Sequence, residues 1–191
     1  MKKTFRTFVA VEITGPIRAR AAKLITALSC TTTNVKWVEP HCLHLTLKFL
    51  GEVHQREIGR VCQAVQHGAS EVAPFELEIF GGGAFPNVAR PRTVWLGCRD
   101  GTEPIITLHD RIETALAKLG YREERRRFRP HLTIGRVRGV GPSIDELGNL
   151  LQQNVQFDAG HLAVSKVTIF ASTLTSSGPI HESLGTARLG D

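Results

Sequence analysis

Hydrophobic and polar residues alternate in two short segments of the chain, HLTLKFLGE (44–52) and HLTIGRVRG (131–139). Successive side chains of a β-strand point to opposite faces, so the alternation predicts two strands that each have an apolar and a polar face. The apolar positions are Leu45, Leu47, Phe49, Leu132 and Ile134. The polar face carries a histidine two residues before a threonine in both strands, and in the first strand it continues to Lys48. We therefore expect these polar side chains to point away from the core.

The histidine strands are part of a longer repeat, because His131 follows His44 at an offset of 87 residues. Apolar residues at helical spacing predict four helices, over 16–29, 57–69, 104–119 and 143–153. Runs with β propensity predict four further strands, over 4–13, 75–80, 91–98 and 161–172. The order β-α-β-α-β therefore occurs twice, which predicts a structural repeat.

This order predicts an α+β fold with two lobes related by pseudo-twofold symmetry. Each lobe is expected to contain a small, mainly antiparallel sheet covered by helices. We expect a single domain over 1–191 with repeats at roughly 4–85 and 91–175, in which strands of the second half complete the sheets. The two histidine strands would then meet at a cleft between the lobes, where ligand sites usually form.

The bulk composition narrows the class of protein. Of the 191 residues, 41% are hydrophobic and 22% are charged, which is typical of a globular protein. No apolar stretch approaches the roughly 18 residues of a membrane span, and polar residues interrupt the first apolar run too early for a signal peptide. The four cysteines lie far apart and lack metal-binding spacing. We therefore expect a cytoplasmic protein with reduced thiols and no membrane association.

The charge of the chain indicates the kind of partner. The formal net charge is +6, which favours an anionic partner, with nucleic acid the leading candidate.

Two histidines in one cleft suit the cleavage of a phosphodiester. The ordinary pKa of histidine is about 6.5, so one ring can act as a base and another as an acid near neutral pH. Cleavage needs a base that deprotonates water and an acid that protonates the departing oxygen. Threonine hydroxyls and an arginine can hold the non-bridging oxygens as charge develops. Neither histidine strand places a carboxylate on the face of its histidine, so we expect no metal and no cofactor.

The sequence resembles the 2H phosphoesterase family, and within it the branch of RNA 2′,3′-cyclic phosphodiesterases, also called 2′-5′ RNA ligases. The segments that carry the resemblance are RTFVAV (6–11), VKWVEPHCLHLTLKFLGEV (35–53), GGGAFPN (81–87), RPRTVWLGC (90–98) and FRPHLTIGRV (128–137). The resemblance implies a bilobal fold with the site between the lobes, and hydrolysis of a terminal 2′,3′-cyclic phosphate of RNA to a 2′-phosphate. It also implies a weak, reversible joining of RNA ends through 2′-5′ linkages.

The resemblance also indicates the roles of individual residues. The catalytic pair is expected to be His44 and His131, and the phosphate ligands are expected to be Thr46, Thr133 and Arg136. Strict alternation places Arg136 on the apolar face of its strand, so this assignment requires a bulge or a strand end after Gly135. Pseudo-symmetry does not distinguish the acid from the base, whereas the resemblance implies His131 as base and His44 as acid.

Several other residues are candidate contacts for the RNA chain. The run YREERRRFRP (121–130) directly precedes His131 and is either a solvated loop or a contact for an RNA backbone. The possible RNA contacts are Lys48, Phe85, Arg127 and Arg129. Phe85 is also a candidate for simple core packing, and His41, His54, His67, His109 and His161 are expected to be structural or on the surface. Family members often have a tyrosine in the last strand pair, and this chain has His181 near that place.

Three interpretations remain open. A two-histidine hydrolase needs two equivalent histidines in one cleft. A non-catalytic module that binds nucleotides or RNA needs basic and aromatic residues but no matched acid–base pair, and a metal-dependent hydrolase needs carboxylates beside the histidines. The expected partners of the enzyme are RNA ends with a 2′,3′-cyclic phosphate or related nucleotides, and we expect the chain to be a monomer.

Overall fold

The computed structural model describes residues 3–31, 33–139, 143–176 and 178–190. In these ranges the strands are β1 (Thr4–Glu12), β2 (Val35–Trp37), β3 (His44–His54), β4 (Phe75–Phe85), β5 (Thr93–Cys98), β6 (Leu132–Val137), β7 (Asp158–Val164), β8 (Lys166–Thr175) and β9 (Gly178–Arg188). The α-helices are α1 (Gly15–Leu28), α2 (Ile58–Ala69), α3 (Thr102–Ala117) and α4 (Ile144–Gln153). Each predicted helix is present, with ends displaced by at most two residues from the predicted bounds.

The strands form two sheets, and every strand pair in the described residues is antiparallel. The first sheet has the order β3-β1-β8-β9, and the second has the order β2-β6-β5-β4-β7. Helix α2 packs on the first sheet, and α1 and α4 pack on the second. Helix α3 packs against α2 and contacts one strand of each sheet, β3 and β4. The predicted α+β class, with two antiparallel sheets covered by helices, is confirmed.

The prediction of one strand over 161–172 was wrong. The chain breaks at Ser165, so that β7 pairs with β4 in the second sheet and β8 pairs with β1 in the first. The same pattern of alternation is compatible with one long strand or with two strands that part at a bend, because alternation does not depend on the pairing partner. Strands β2 and β9 were not predicted. The placement of β2, β4, β8 and β9 mixes the two halves of the chain in the two sheets.

The apolar faces of the histidine strands lie in the core. Leu45 and Leu132 are fully buried, and they belong to one continuous hydrophobic cluster that draws on both sheets and all four helices. Strands β3 and β6 contact each other where the two sheets meet. The polar faces of these strands consequently border the space between the sheets.

Candidate active site

A cleft lies between the two sheets and consists of two adjoining cavities, of about 240 and 850 Å³. His44 lines the smaller cavity and His131 lines the larger one. The residues that line both cavities are Thr46, Phe49, Thr133 and Arg136. The structure therefore brings the two histidines, the two threonines and the arginine singled out from the sequence to one place.

Both histidine rings are held by the same local hydrogen bond. Nδ1 of His44 donates to the carbonyl oxygen of Cys42 at 2.7 Å, and Nδ1 of His131 donates to that of Arg129 at 2.7 Å. A carbonyl oxygen only accepts hydrogen bonds, so the proton of each neutral ring is on Nδ1 and the lone pair is on Nε2. Each Nε2 can therefore accept a proton when its ring is neutral and donate one when its ring is charged. The offset of 87 residues thus repeats the tautomer as well as the motif.

A β-bulge is also repeated at this offset. Along β1, Val9 and Ala10 face Lys48 and Thr46, which leaves Leu47 unpaired. Along β5, Val94 and Trp95 face Gly135 and Thr133, which leaves Ile134 unpaired. An extra residue reverses the alternation for the residues that directly follow it. The bulge at Ile134 accordingly turns Arg136 back to the cleft. Such an irregularity was expected from the sequence after Gly135, and the structure has it one residue before Gly135.

The same kind of bulge overturns the expectation for Lys48. Because the alternation is reversed after Leu47, Phe49 reaches the cleft and is 54% exposed, whereas Lys48 turns inward and is 3% exposed. Its Nζ forms an ion pair with Glu113 of α3 and donates to the carbonyl oxygen of Arg122 at 2.7 Å. Lys48 is therefore a structural residue and not a contact for RNA.

The arginine-rich run forms one wall of the larger cavity. Arg126, Arg127 and Arg129 line this cavity together with Phe85. The Phe85 ring meets the His131 ring edge-on at 5.0 Å between centroids, and the Arg129 guanidinium lies 5.4 Å from the Phe85 centroid. Phe85 is thus half-buried beside the catalytic candidate, with its ring available to the cleft.

His181 is a cleft residue that sequence reasoning did not assign to the site. It lies on β9, and its ring centroid is 5.1 Å from that of His44 in a T-shaped arrangement. Phe8 of β1 contacts both rings, at 4.7 Å from His44 and 5.0 Å from His181. The sequence showed that His181 stands near the place where family members often have a tyrosine. Because β9 was not predicted, the sequence did not indicate that this histidine reaches the cleft.

The pKa values of the cleft histidines are all lowered. Burial lowers the pKa of His44 to about 4, against the raising effect of its hydrogen bond to Cys42, and the charge of His181 lowers it further. Burial also lowers the pKa of His131; its hydrogen bond to Arg129 raises the pKa, whereas the charges of Arg136 and Arg129 lower it. The surroundings that the protein provides therefore favour the neutral form of both rings.

We expect the pH profile of kcat/KM to be bell-shaped with its maximum below about pH 6.5, the ordinary pKa of histidine. This ratio depends on the free protein, in which both pKa values are lowered, and its two limbs belong to the coupled pair. A bound phosphate anion favours the charged rings, so the profile of kcat should lie at higher pH. Initial rates from pH 4 to 9 test this expectation. In the variant His181→Gln, the acidic limb of the kcat/KM profile should shift to higher pH, because the charge of His181 no longer lowers the pKa of His44. A maximum above pH 7 for the wild-type protein would contradict the lowered pKa values.

Two further observations concern metals and membranes. In the described part of the chain, no three histidine, cysteine, aspartate or glutamate side chains are grouped as metal ligands would be. Among the same residues, every helix is too short or too polar to cross a membrane.

The fold and the cleft define a class of protein in which two equivalent strands of a bilobal α+β fold each present a histidine and a threonine to one site. The family model of the 2′-5′ RNA ligase superfamily matches residues 7–169. The chain is 35% identical over 184 residues to an RNA 2′,3′-cyclic phosphodiesterase of Methanothermobacter thermautotrophicus. The alignment covers 96% of this chain and 98% of that protein. It is 36% identical over 181 residues to the protein of the same name from Archaeoglobus fulgidus, with 94% and 97% covered.

A solved structure agrees with these sequence relationships. TT0787 of Thermus thermophilus superposes with a TM-score of 0.79 at 26% identity, over 97% of this chain and 99% of that one. The chain belongs to the 2′-5′ RNA ligase superfamily.

Proposed function

We propose that the protein hydrolyses the terminal 2′,3′-cyclic phosphate of RNA to a 2′-phosphate, without a metal ion, by acid–base catalysis between His44 and His131. The observation that carries the proposal is the repeated Nδ1 hydrogen bond, which prepares two Nε2 atoms for proton transfer at one cleft. A ring that served packing alone would not need the same tautomer at both positions. The names of the curated relatives support the same substrate class.

The reaction uses the two rings in opposite protonation states. Water attacks phosphorus opposite O3′, so a new O–P bond forms while the bond between phosphorus and O3′ breaks. The neutral ring takes a proton from the water on its Nε2, and the charged ring donates its Nε2 proton to O3′. The products are a 2′-phosphate and a free 3′-hydroxyl, and proton exchange with solvent restores the starting forms of both rings.

Three side chains between the histidines can bind the phosphate oxygens. The hydroxyls of Thr46 and Thr133 can donate hydrogen bonds to the non-bridging oxygens, and the guanidinium of Arg136 can neutralise the charge that builds up there. All three line both cavities, which is where a phosphate between the two rings would lie. Phe85, Arg127 and Arg129 are proposed to contact the rest of the RNA.

The same geometry supports the joining of RNA ends. If the 5′-hydroxyl of a second RNA replaces the water, its oxygen forms the new bond to phosphorus while the bond to O3′ breaks. The base takes the hydroxyl proton and the acid protonates O3′, so the product is a 2′-5′ linkage and no ATP is consumed. The reaction conserves the number of phosphodiester bonds, so it is reversible.

A non-catalytic RNA-binding module is the alternative. The exposed Phe49 ring and the arginine wall of the larger cavity favour it, because aromatic rings and arginines bind single-stranded nucleic acid without any chemistry. Such a module would bind an oligonucleotide that ends in a 2′,3′-cyclic phosphate and leave the phosphate intact.

The decisive experiment also tests the prediction about metals. We expect the protein, incubated with this oligonucleotide and excess EDTA, to convert the cyclic phosphate completely to the 2′-phosphate isomer, because His, Thr and Arg side chains handle the protons and charge. Added divalent ions should not raise the rate. Product isomers are separated by chromatography against 2′- and 3′-phosphate standards. Activity that chelation abolishes and one metal restores would contradict the metal-free mechanism, and binding without any product would favour the RNA-binding module.

We further propose that the protein acts as a monomer in the cytoplasm. Cys30, Cys42, Cys62 and Cys98 are all free thiols, as expected in a reducing compartment. Both histidines, both threonines and the arginine come from one chain, so a single copy supplies the whole proposed site.

A further inference from the structure

The arginine segment (121–130) lies between α3 and β6, and of its side chains only Tyr121 and Phe128 pack against the hydrophobic core. A cavity of about 530 Å³ lies between the segment and α3, and it is lined by His109, Glu113, Arg126 and Phe128 among others. The side chains of 122–127 are all exposed. The core therefore holds the segment only at its two partly buried aromatic rings, and individual contacts must hold the residues between and after them.

One such contact holds the first part of the segment. Lys48 donates to the carbonyl oxygen of Arg122, and the backbone N–H of Glu124 donates to the Glu113 carboxylate at 3.4 Å. Lys48 and Glu113 are themselves buried and paired with each other. This contact does not reach the part of the segment nearest to His131.

A stack of two rings holds the part around Phe128, and the hydrogen bond from His131 separately holds the carbonyl oxygen of Arg129. The imidazole of His109, on α3, lies parallel to the ring of Phe128, with 4.1 Å between centroids and 3° between planes. His109 is 6% exposed, and its Nδ1 lies 2.8 Å from Oδ1 of Asp110. Phe128 stands between Arg127 and Arg129 in the chain, and both of these arginines line the larger cavity. The stack therefore fixes the backbone from which the two arginines extend.

We propose that His109 is a positioning residue that holds Arg127 and Arg129 along the path of an RNA chain, and that it thereby favours oligonucleotides over mononucleotides. The proposal rests on the proposed function. An RNA that ends in a cyclic phosphate continues away from the reacting phosphate, and its further phosphates can bind the guanidinium groups of Arg127 and Arg129 where these are held in place. A cyclic mononucleotide has no further phosphates, so its binding does not depend on the two arginines.

The effect of removing the stack should therefore depend on the substrate. We expect His109→Ala to raise KM for a 10-nucleotide RNA with a 2′,3′-cyclic phosphate end by about 3- to 10-fold, which is the range of one aromatic stack. The kcat for this RNA and both constants for a 2′,3′-cyclic mononucleotide should stay within a factor of two. The slope of log KM against log salt should fall by about 0.7 for each phosphate that the two arginines no longer bind.

Matched variants separate positioning from general damage to the fold. His109→Phe keeps a ring in the stack and should behave as wild type, whereas Phe128→Ala removes the stack from the other side and should behave as His109→Ala. His67→Ala removes an exposed histidine of α2 and is the control. In a variant that already lacks the Arg127 and Arg129 side chains, His109→Ala should have no further effect on KM. Melting temperatures show that each variant is folded.

Two results would overturn the inference: an equal loss on the RNA and the mononucleotide, or an unchanged KM for the RNA in folded His109→Ala and Phe128→Ala. A wild-type protein that binds the RNA but hydrolyses neither substrate would overturn the proposed function instead. In that event the fluorescence anisotropy of a labelled RNA decides the inference, because the same variants should weaken its binding by the same factor.

Discussion

Replacing either His44 or His131 with alanine is expected to lower kcat by ~10²-fold or more, because each variant removes one of the two proton transfers. The double variant should lose much less than the product of the two single losses, since the rings act as a unit on one bond. Initial rates with the cyclic-phosphate RNA test both statements. A single variant with a nearly normal rate would contradict the paired mechanism.

The histidine variants should remain folded, because both rings border the cleft while Leu45 and Leu132 occupy the core. His161→Ala is a matched control, because it removes an exposed histidine of β7 that lies outside the cleft residues. It should leave kcat unchanged. Circular dichroism and melting temperatures verify the fold of each variant.

A modified leaving group distinguishes the acid from the base. The resemblance implies that His44 protonates O3′, but its pKa of about 4 leaves the ring mostly neutral in the free protein at neutral pH. The acid role therefore requires the bound phosphate anion to raise the pKa of His44. A substrate with sulfur at the 3′ position needs little protonation and should restore the rate of His44→Ala but not of His131→Ala. The opposite pattern would reverse the assignment, and rescue of neither variant would contradict acid catalysis by these histidines.

Replacing Lys48 with methionine is expected to destabilise the protein by about 3–5 kcal/mol, because Glu113 is left as an uncompensated buried charge. Glu113→Gln should also be destabilising, since it leaves the ammonium buried without its charged partner. The double variant Lys48→Met with Glu113→Leu should recover most of the loss, because both charges are then removed. Urea unfolding gives the free energies of unfolding.

A surface ion pair serves as the control for this measurement. Arg20 and Asp158 are 3.6 Å apart, with both side chains 54% exposed, so Arg20→Ala should change the free energy of unfolding by no more than about 1 kcal/mol. If Lys48→Met cost no more than Arg20→Ala, Lys48 would not be the structural residue that its burial indicates.

The sequence by itself determined the elements and the chemistry that each strand offers. The four helices follow from apolar residues at helical spacing, which is a local property of the chain. The burial of Leu45 and Leu132 opposite the histidines follows from alternation over only three residues, before any irregularity intervenes. The repeat at an offset of 87 residues then indicated that the two histidines are equivalent. These features need no knowledge of which strand pairs with which.

Only the tertiary structure decided which side chains beyond the threonines reach the cleft. The bulges at Leu47 and Ile134 exist only relative to β1 and β5, and they turn Lys48 into the core and Arg136 into the site. His181 reaches His44 because β9 pairs with β8, β8 with β1 and β1 with β3, and the first two of these strands are far in the chain from the last two. The break at Ser165 likewise depends on two different partner strands. Register and strand order are set by partners distant in sequence, so local alternation could not determine them.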